Sequence, residues 1–168
     1  SHSNPGDKTI SEGSLTHTFL SAARSLYPDT PYPPIVALGP NSAILHYFGS
    51  NFGVTDGSVL LIDAAAHHNG IASDVTCTHV REGVSDEFRN LLVGLDKIQK
   101  ELSEMVKPGA SFDEIQKQMY LKVSKLLIDA GVIIGCDAEE AASLGIAIAF
   151  ILHSFGHSDR LFQQYPDY

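Results

Sequence analysis

The 168 residues predict an α+β fold, an antiparallel sheet covered on one face by helices. Three observations carry that expectation. Short apolar runs bounded by Gly, Pro and Asn fill the first half of the chain, as strands do. Two long stretches between Ser85 and Gly131 then place apolar residues at helical spacing. A further apolar run, Ile146 to Leu152, follows the helices, and strands before and after a helical pair suit a layered α+β arrangement. The length suits one domain with a sizeable core, and 43% hydrophobic against 18% charged residues excludes a disordered chain.

In chain order, Ser11 to Tyr27 reads as the first helix, capped by Ser11, with Leu15, Phe19, Ala22, Ala23 and Leu26 on one face. Four prolines between Pro28 and Pro34 enforce an extended connection. Ile35 to Leu38 predicts a strand closed by Gly39-Pro40-Asn41, and Ala43 to Phe48 a second strand carrying His46. The next strand ends at Asp63. Ser85 opens an amphipathic helix whose stripe runs through Phe88, Leu91, Leu92, Leu95, Ile98, Leu102 and Met105, stopped by Lys107-Pro108-Gly109. Ser111 to Glu114 is a capping box for another, reaching Gly131, with Ile115, Met119, Val123, Leu126 and Leu127 inward. A short helix from about Asp137 to Leu144 precedes the last apolar run.

A net charge of −9 argues against nucleic acid or an anionic membrane as the main partner and suits cations. The longest apolar stretch is far short of a bilayer span. Cys77 and Cys136 make no disulfide scaffold and read as half-buried thiols of a reducing compartment, so the cytoplasm is the expected location. Residues 1–10 lack signal-peptide character and read as a tail, partly of artificial origin.

Two apolar segments each deliver one aspartate, Asp63 and Asp74, eleven positions apart. Between them His67-His68-Asn69-Gly70 predicts a tight hairpin turn, which would set the two carboxylates side by side. Paired carboxylates repel, and a divalent cation is a natural third party. Solvated aspartates at strand ends are the plainer alternative, and both readings stand. His153 and His157, four apart around Gly156, add imidazoles at the exit of the last apolar run. They lack the zincin pattern, and a structural pair is the alternative to a ligand pair.

Together these stretches resemble the catalytic domain of the Xaa-Pro peptidases, the prolidase and aminopeptidase P group with the pita-bread fold, fungal and animal prolidases above all. The matching segments are YPPIVALGPNSAILHY (32–47), Leu60 to Thr76, VKPGASFDEI (106–115) and IAIAFILHSFGH (146–157). The resemblance implies a catalytic domain over residues 11–157. It implies Asp63, Asp74 and His157 as metal ligands, with Asp74 bridging two ions, and His46 and His153 as catalytic histidines that meet substrate. It implies manganese, with cobalt or zinc as alternatives, a proline-containing dipeptide or peptide as substrate, and hydrolysis of the bond before proline.

Residues 158–168 depart from the family. Arg160 stands at a glycine position and Gln164 at a histidine position, and two further metal-binding glutamates have no counterpart. The resemblance therefore implies a C-terminally truncated form with weak or partial metal occupancy, and an exposed sheet edge covered by a homodimer mate or another partner. A catalytically inactive pseudoenzyme acting as a protein-binding module is the alternative function, and a fragment without function of its own is a third.

Overall fold

Ser11 caps the first helix as its position predicts. In the computed structural model its hydroxyl accepts from the Ser14 N–H, while the Ser14 hydroxyl lies 3.1 Å from the Ser11 N–H, a reciprocal box. The structure describes residues 10–25, 27–49, 51–53 and 57–151, and these divide into two units at Val84/Ser85.

In the first unit, helix α1 (Glu12–Ala23) ends four residues short of the expected Tyr27. The N–H groups of Arg24 and Ser25 close the last turn on Leu20 and Ala22, and Pro28 disfavours helical geometry just before it. Strand β1 (Ile35–Leu38) is buried on both faces and packs against α1. Strands β2 (Val59–Ala64) and β5 (Val75–Val80) complete an antiparallel sheet in the order β1-β2-β5. Between β2 and β5 the chain makes a small hairpin, β3 (His67–His68) and β4 (Ile71–Ala72), turned by Asn69 and Gly70 at φ +50° and +80°. Both angles are what a two-residue hairpin turn demands. Among the described residues the outer edge of β5 carries no ladder partner.

The strand expected over Ala43–Phe48 does not form. A 3₁₀ helix occupies Gly39–Ala43, a turn follows, and His46 stands at φ +53°. The apolar letters misled. Pro40 starts the 3₁₀ turn at its first positions, and Ile44 and Leu45 are exposed.

In the second unit, α2 (Asp86–Met105), α3 (Phe112–Asp129) and α4 (Ala138–Ser143) start where the sequence predicts, and the side chains of Ser85, Ser111 and Asp137 accept from the N–H groups of Phe88, Glu114 and Glu140. Leu102, Ile115, Met119, Val123, Leu127, Ile133 and Ala141 form its core, while Phe88 and Leu95 remain exposed. Gly94 is a close-approach point, since a Cβ there would meet Leu126 Cδ1 at 2.5 Å. Helix α3 ends in a Schellman motif: Gly131 at φ +72°, its N–H on the Ile128 carbonyl, and the Val132 N–H on that of Leu127.

The final apolar run is not a strand over its described part. Gly145 at φ +70° turns the chain into a 3₁₀ helix, Ile146–Ala149. Ala147 is fully buried, and Ile146 and Ile151 pack on the helical core, so the hydrophobicity is used in a helical layer and not on a sheet. Cys136 is half-buried as expected, but Cys77 is exposed, because β5 offers little cover to either side of the strand.

Candidate metal centre

Asp63 and Asp74 come together through register. Asp63 on β2 pairs with Thr76 of β5, so Asp74, two residues before Thr76, projects from the same sheet face one step away. Ile35 of β1 pairs with Asp63 on its other side, and the chain three residues earlier carries Tyr32.

The Tyr32 hydroxyl joins the pair. It lies 2.5 Å from Asp63 Oδ1 and 2.7 Å from Asp74 Oδ1, so the two carboxylate oxygens are at most 5.2 Å apart, the sum of those distances. A phenol has one proton to donate, and two carboxylates claim it. Burial raises the Tyr32 pKa, and its hydrogen bonds to Asp63 and Asp74 and their negative charge raise it further, far above the ordinary tyrosine range. The hydroxyl therefore stays protonated at any physiological pH.

This donor set fits a divalent cation. Two hard carboxylate oxygens meet at one hydroxyl, and like charges this close to each other favour a cation beside them. Asp63 is half-buried and Asp74 exposed, so the pair sits where an ion can reach it. Among the described residues no three His, Cys, Asp or Glu side chains converge as a metal cluster, and Asp63 and Asp74 come together as a pair only. His153, expected to meet substrate, and His157, expected as a third ligand, lie outside the described residues, as does the tail 158–168. Residues 1–9 lie outside them too.

His46 is exposed, and its ring stacks on Phe48 with centroids 6.4 Å apart. His68 is exposed near the hairpin tip. His67 is half-buried, its ring 5.4 Å from that of Tyr27.

Two residues escaped sequence reasoning. Tyr32 stood only as one letter of a proline-bounded stretch. Its signal was an aromatic hydroxyl placed shortly before a strand that could pair beside Asp63. Glu12 gave no signal beyond its place in the first turn of a helix.

Glu12 is fully buried. Its Oε1 accepts from the Leu38 N–H and the Asn41 side-chain amide, both at 2.8 Å. Its Oε2 accepts from the Tyr47 hydroxyl at 2.8 Å and the Asn51 N–H at 3.2 Å. Burial pushes this carboxyl up, but the bonds from Asn41, Leu38, Tyr47 and Asn51 together outweigh it and hold Glu12 below its ordinary value.

Comparison with known proteins places the chain in a family. The model of metallopeptidase family M24 matches residues 5–161. The chain is 34% identical over 151 residues to an Xaa-Pro dipeptidase of Shewanella amazonensis, covering 89% of this chain and 34% of that protein. It is 36% identical over 148 residues to Xaa-Pro dipeptidase 2 of Idiomarina loihiensis, covering 88% of this chain and 33% of that protein. The chain thus spans about a third of the length of the curated relatives it matches.

Among solved structures, the aminopeptidase PepP of Pseudomonas aeruginosa superposes with a TM-score of 0.75 at 25% identity, over 84% of this chain and 32% of the other. Zinc-substituted aminopeptidase P of E. coli, in complex with product, superposes at 0.78 and 23% identity, over 87% and 33%. These likenesses make the fold a partial pita-bread fold of the α+β class. The chain belongs to metallopeptidase family M24, among the Xaa-Pro peptidases.

Proposed function

We propose that this chain carries part of the metal centre of a hydrolase that cleaves the bond before proline in Xaa-Pro dipeptides or at the start of Xaa-Pro peptides. The observation that carries this reading is the convergence of Asp63 and Asp74 on one Tyr32 hydroxyl. The names of the relatives support the substrate class, and the net charge of −9 and the oxygen donors support a hard divalent cation. Manganese is the proposed ion, with cobalt or zinc as alternatives, and the cytoplasm the proposed compartment. No helix among the described residues is long and apolar enough to cross a membrane.

In this reading Asp63 and Asp74 hold the ion, with His157 as a third ligand. When bound, a divalent ion supplies Lewis acidity that activates water and polarises the scissile carbonyl. The remaining work falls to the chain's own side chains. Tyr32 bridges the two carboxylates as a hydrogen-bond donor. The antiparallel ladder of β2 and β5 holds Asp63 against Thr76, which keeps the backbone entropy of the site low before any ligand arrives. His46 and His153 are proposed to meet the substrate.

The test is hydrolysis of an Xaa-Pro dipeptide by the purified chain with added manganese, beside an Asp74→Ala control, with metal affinity measured calorimetrically on the same samples. Turnover that disappears in the control supports the reading. Equal metal affinity in the unaltered chain, Asp63→Ala and Asp74→Ala removes the site assignment. Metal binding without turnover in any sample moves the search to protein partners.

A further inference from the structure

Glu12 lies outside the metal centre, yet it gathers four donors that all belong to one stretch, from Leu38 to Asn51. His46 stands inside that stretch, next to Tyr47. The contacts form a closed set. Asn41 donates to Glu12 and to the Tyr47 hydroxyl, which itself donates to Glu12. Asn51 donates its N–H to Glu12 and accepts on its carbonyl from the Gly13 N–H at 3.1 Å. Gly13 also admits the Phe52 ring, since a Cβ there would come within 2.5 Å of it. The start of α1 is thus a seat for both ends of the stretch.

His46 needs such a seat. Only His46 and Asn69 among the described non-glycine residues have positive φ, and a residue held there costs free energy unless its surroundings fix it. Both lie in turns, Asn69 at the hairpin tip and His46 after the 3₁₀ helix. Beside His46 stands Tyr47, whose hydroxyl is tied to a buried carboxylate 35 residues away in sequence. A neutral partner would hold the loop less firmly, because bonds to a charged acceptor are roughly twice as strong as neutral ones.

We infer that Glu12 is the positioning residue for His46: its buried carboxylate fixes the 38–51 stretch so that the imidazole is presented in one orientation to substrate. The inference rests on the proposed role of His46 at substrate, so the experiment separates the two. Turnover of an Xaa-Pro dipeptide and manganese affinity are measured for the unaltered chain, Glu12→Gln, His46→Ala and the double variant, and the His46 imidazole resonance is followed by NMR in Glu12→Gln and Tyr47→Phe. Glu12→Gln is expected to lower kcat/KM by about ten- to a hundredfold, the scale of a small misplacement. Manganese affinity should stay within roughly twofold, and the double variant should lose no more than His46→Ala alone.

Additive losses, or a parallel fall in manganese affinity, would overturn the inference, because they mark general weakening of the fold. If His46→Ala turns over normally, the functional reading of His46 fails and the catalytic half of the inference with it. If no sample hydrolyses the dipeptide, the imidazole resonance decides. A resonance displaced in both Glu12→Gln and Tyr47→Phe supports the seat, and one unmoved in both overturns it. Tyr47→Phe serves throughout should Glu12→Gln fail to fold.

Discussion

Two carboxylate centres in the same unit differ in how fully they are answered. Glu12 is buried and receives four donors, two on each oxygen. Asp63 and Asp74 face one hydroxyl whose single proton cannot serve both. A buried charge is tolerable only when its lone pairs are met, and Glu12 meets that condition from the protein alone. The aspartate pair instead shares the Tyr32 hydroxyl and is open to solvent on the Asp74 side. Saturation marks a carboxylate that holds the fold together, and under the proposed function the shared proton marks the pair that a cation would answer.

The sharpest way to break this contrast is to remove charge from each centre. Asp74→Ala should lower manganese affinity by more than about a hundredfold, beyond the ten- to hundredfold that outer hydrogen-bonding partners are worth. Its metal-free stability should hardly change, since the variant also removes a repulsion. Calorimetric titration and urea unfolding of one sample give both numbers. A stability loss as large as that of a Glu12 variant would erase the distinction.

Glu12→Ala should do the opposite. It leaves the Leu38, Asn41, Tyr47 and Asn51 donors unmet and should cost about 3 to 5 kcal/mol in urea unfolding, the scale of breaking a buried charged partnership. The pH dependence has a definite sign. The fold holds the Glu12 pKa below its ordinary 4.5, so the folded state binds the proton less readily than the unfolded one. The contribution is complete above pH 4.5 and is lost as pH falls through the lower folded value. Stability measured against pH should therefore drop below pH 4.5 in the unaltered chain, with a shallower fall in Glu12→Gln.

The contrast also explains what the sequence could disclose. Caps and stripes act within a turn or two, so Ser11, Ser85, Ser111 and Asp137 and the helices they begin were legible. The Asn69-Gly70 turn and the pairing of two aspartates across it were legible because hairpin geometry is local. The Glu12 seat joins residues 26 to 39 positions apart, and nothing in the letters near Glu12 announces its donors. Tyr32 reaches its aspartates across 31 and 42 positions. The strands read into Ala43–Phe48 and Ile146–Leu152 failed for a shared reason. A short apolar run is compatible with several geometries: after the 3₁₀ helix begun at Gly39-Pro40 the first run makes an exposed turn, and Gly145 turns the described part of the second into a 3₁₀ helix.

Tyr32→Phe sharpens the comparison at smaller scale. It removes the proton that the two aspartates share while leaving the ring. The metal-free chain should lose about 1 kcal/mol, below the usual worth of a bond to a charged group because Asp74 is exposed. Saturating manganese should recover most of that loss, since a cation answers both carboxylates. Urea midpoints with and without the metal test it. An equal loss in both conditions would mean that the hydroxyl supports the sheet and not the carboxylates.

The smallest effect belongs to the hairpin tip, and it tests what spaces the aspartates. Gly70 sits at φ +80°, and nothing lies within 4 Å of where its Cβ would be. Gly70→Ala therefore meets no steric neighbour and costs only the conformational penalty of a left-handed alanine, about 1 kcal/mol. The β2–β5 ladder runs through six paired positions, from Val59 opposite Val80 to Ala64 opposite Val75, and it continues past Asp63 toward the tip. If that ladder sets the distance between Asp63 and Asp74, a strained tip should leave manganese affinity within roughly twofold while the urea midpoint falls, because the strain is confined beyond the last paired residues. A tenfold loss of affinity would instead make the turn the spacer. The carboxylate pair would then depend on the short-range Asn-Gly geometry that made it visible in the sequence.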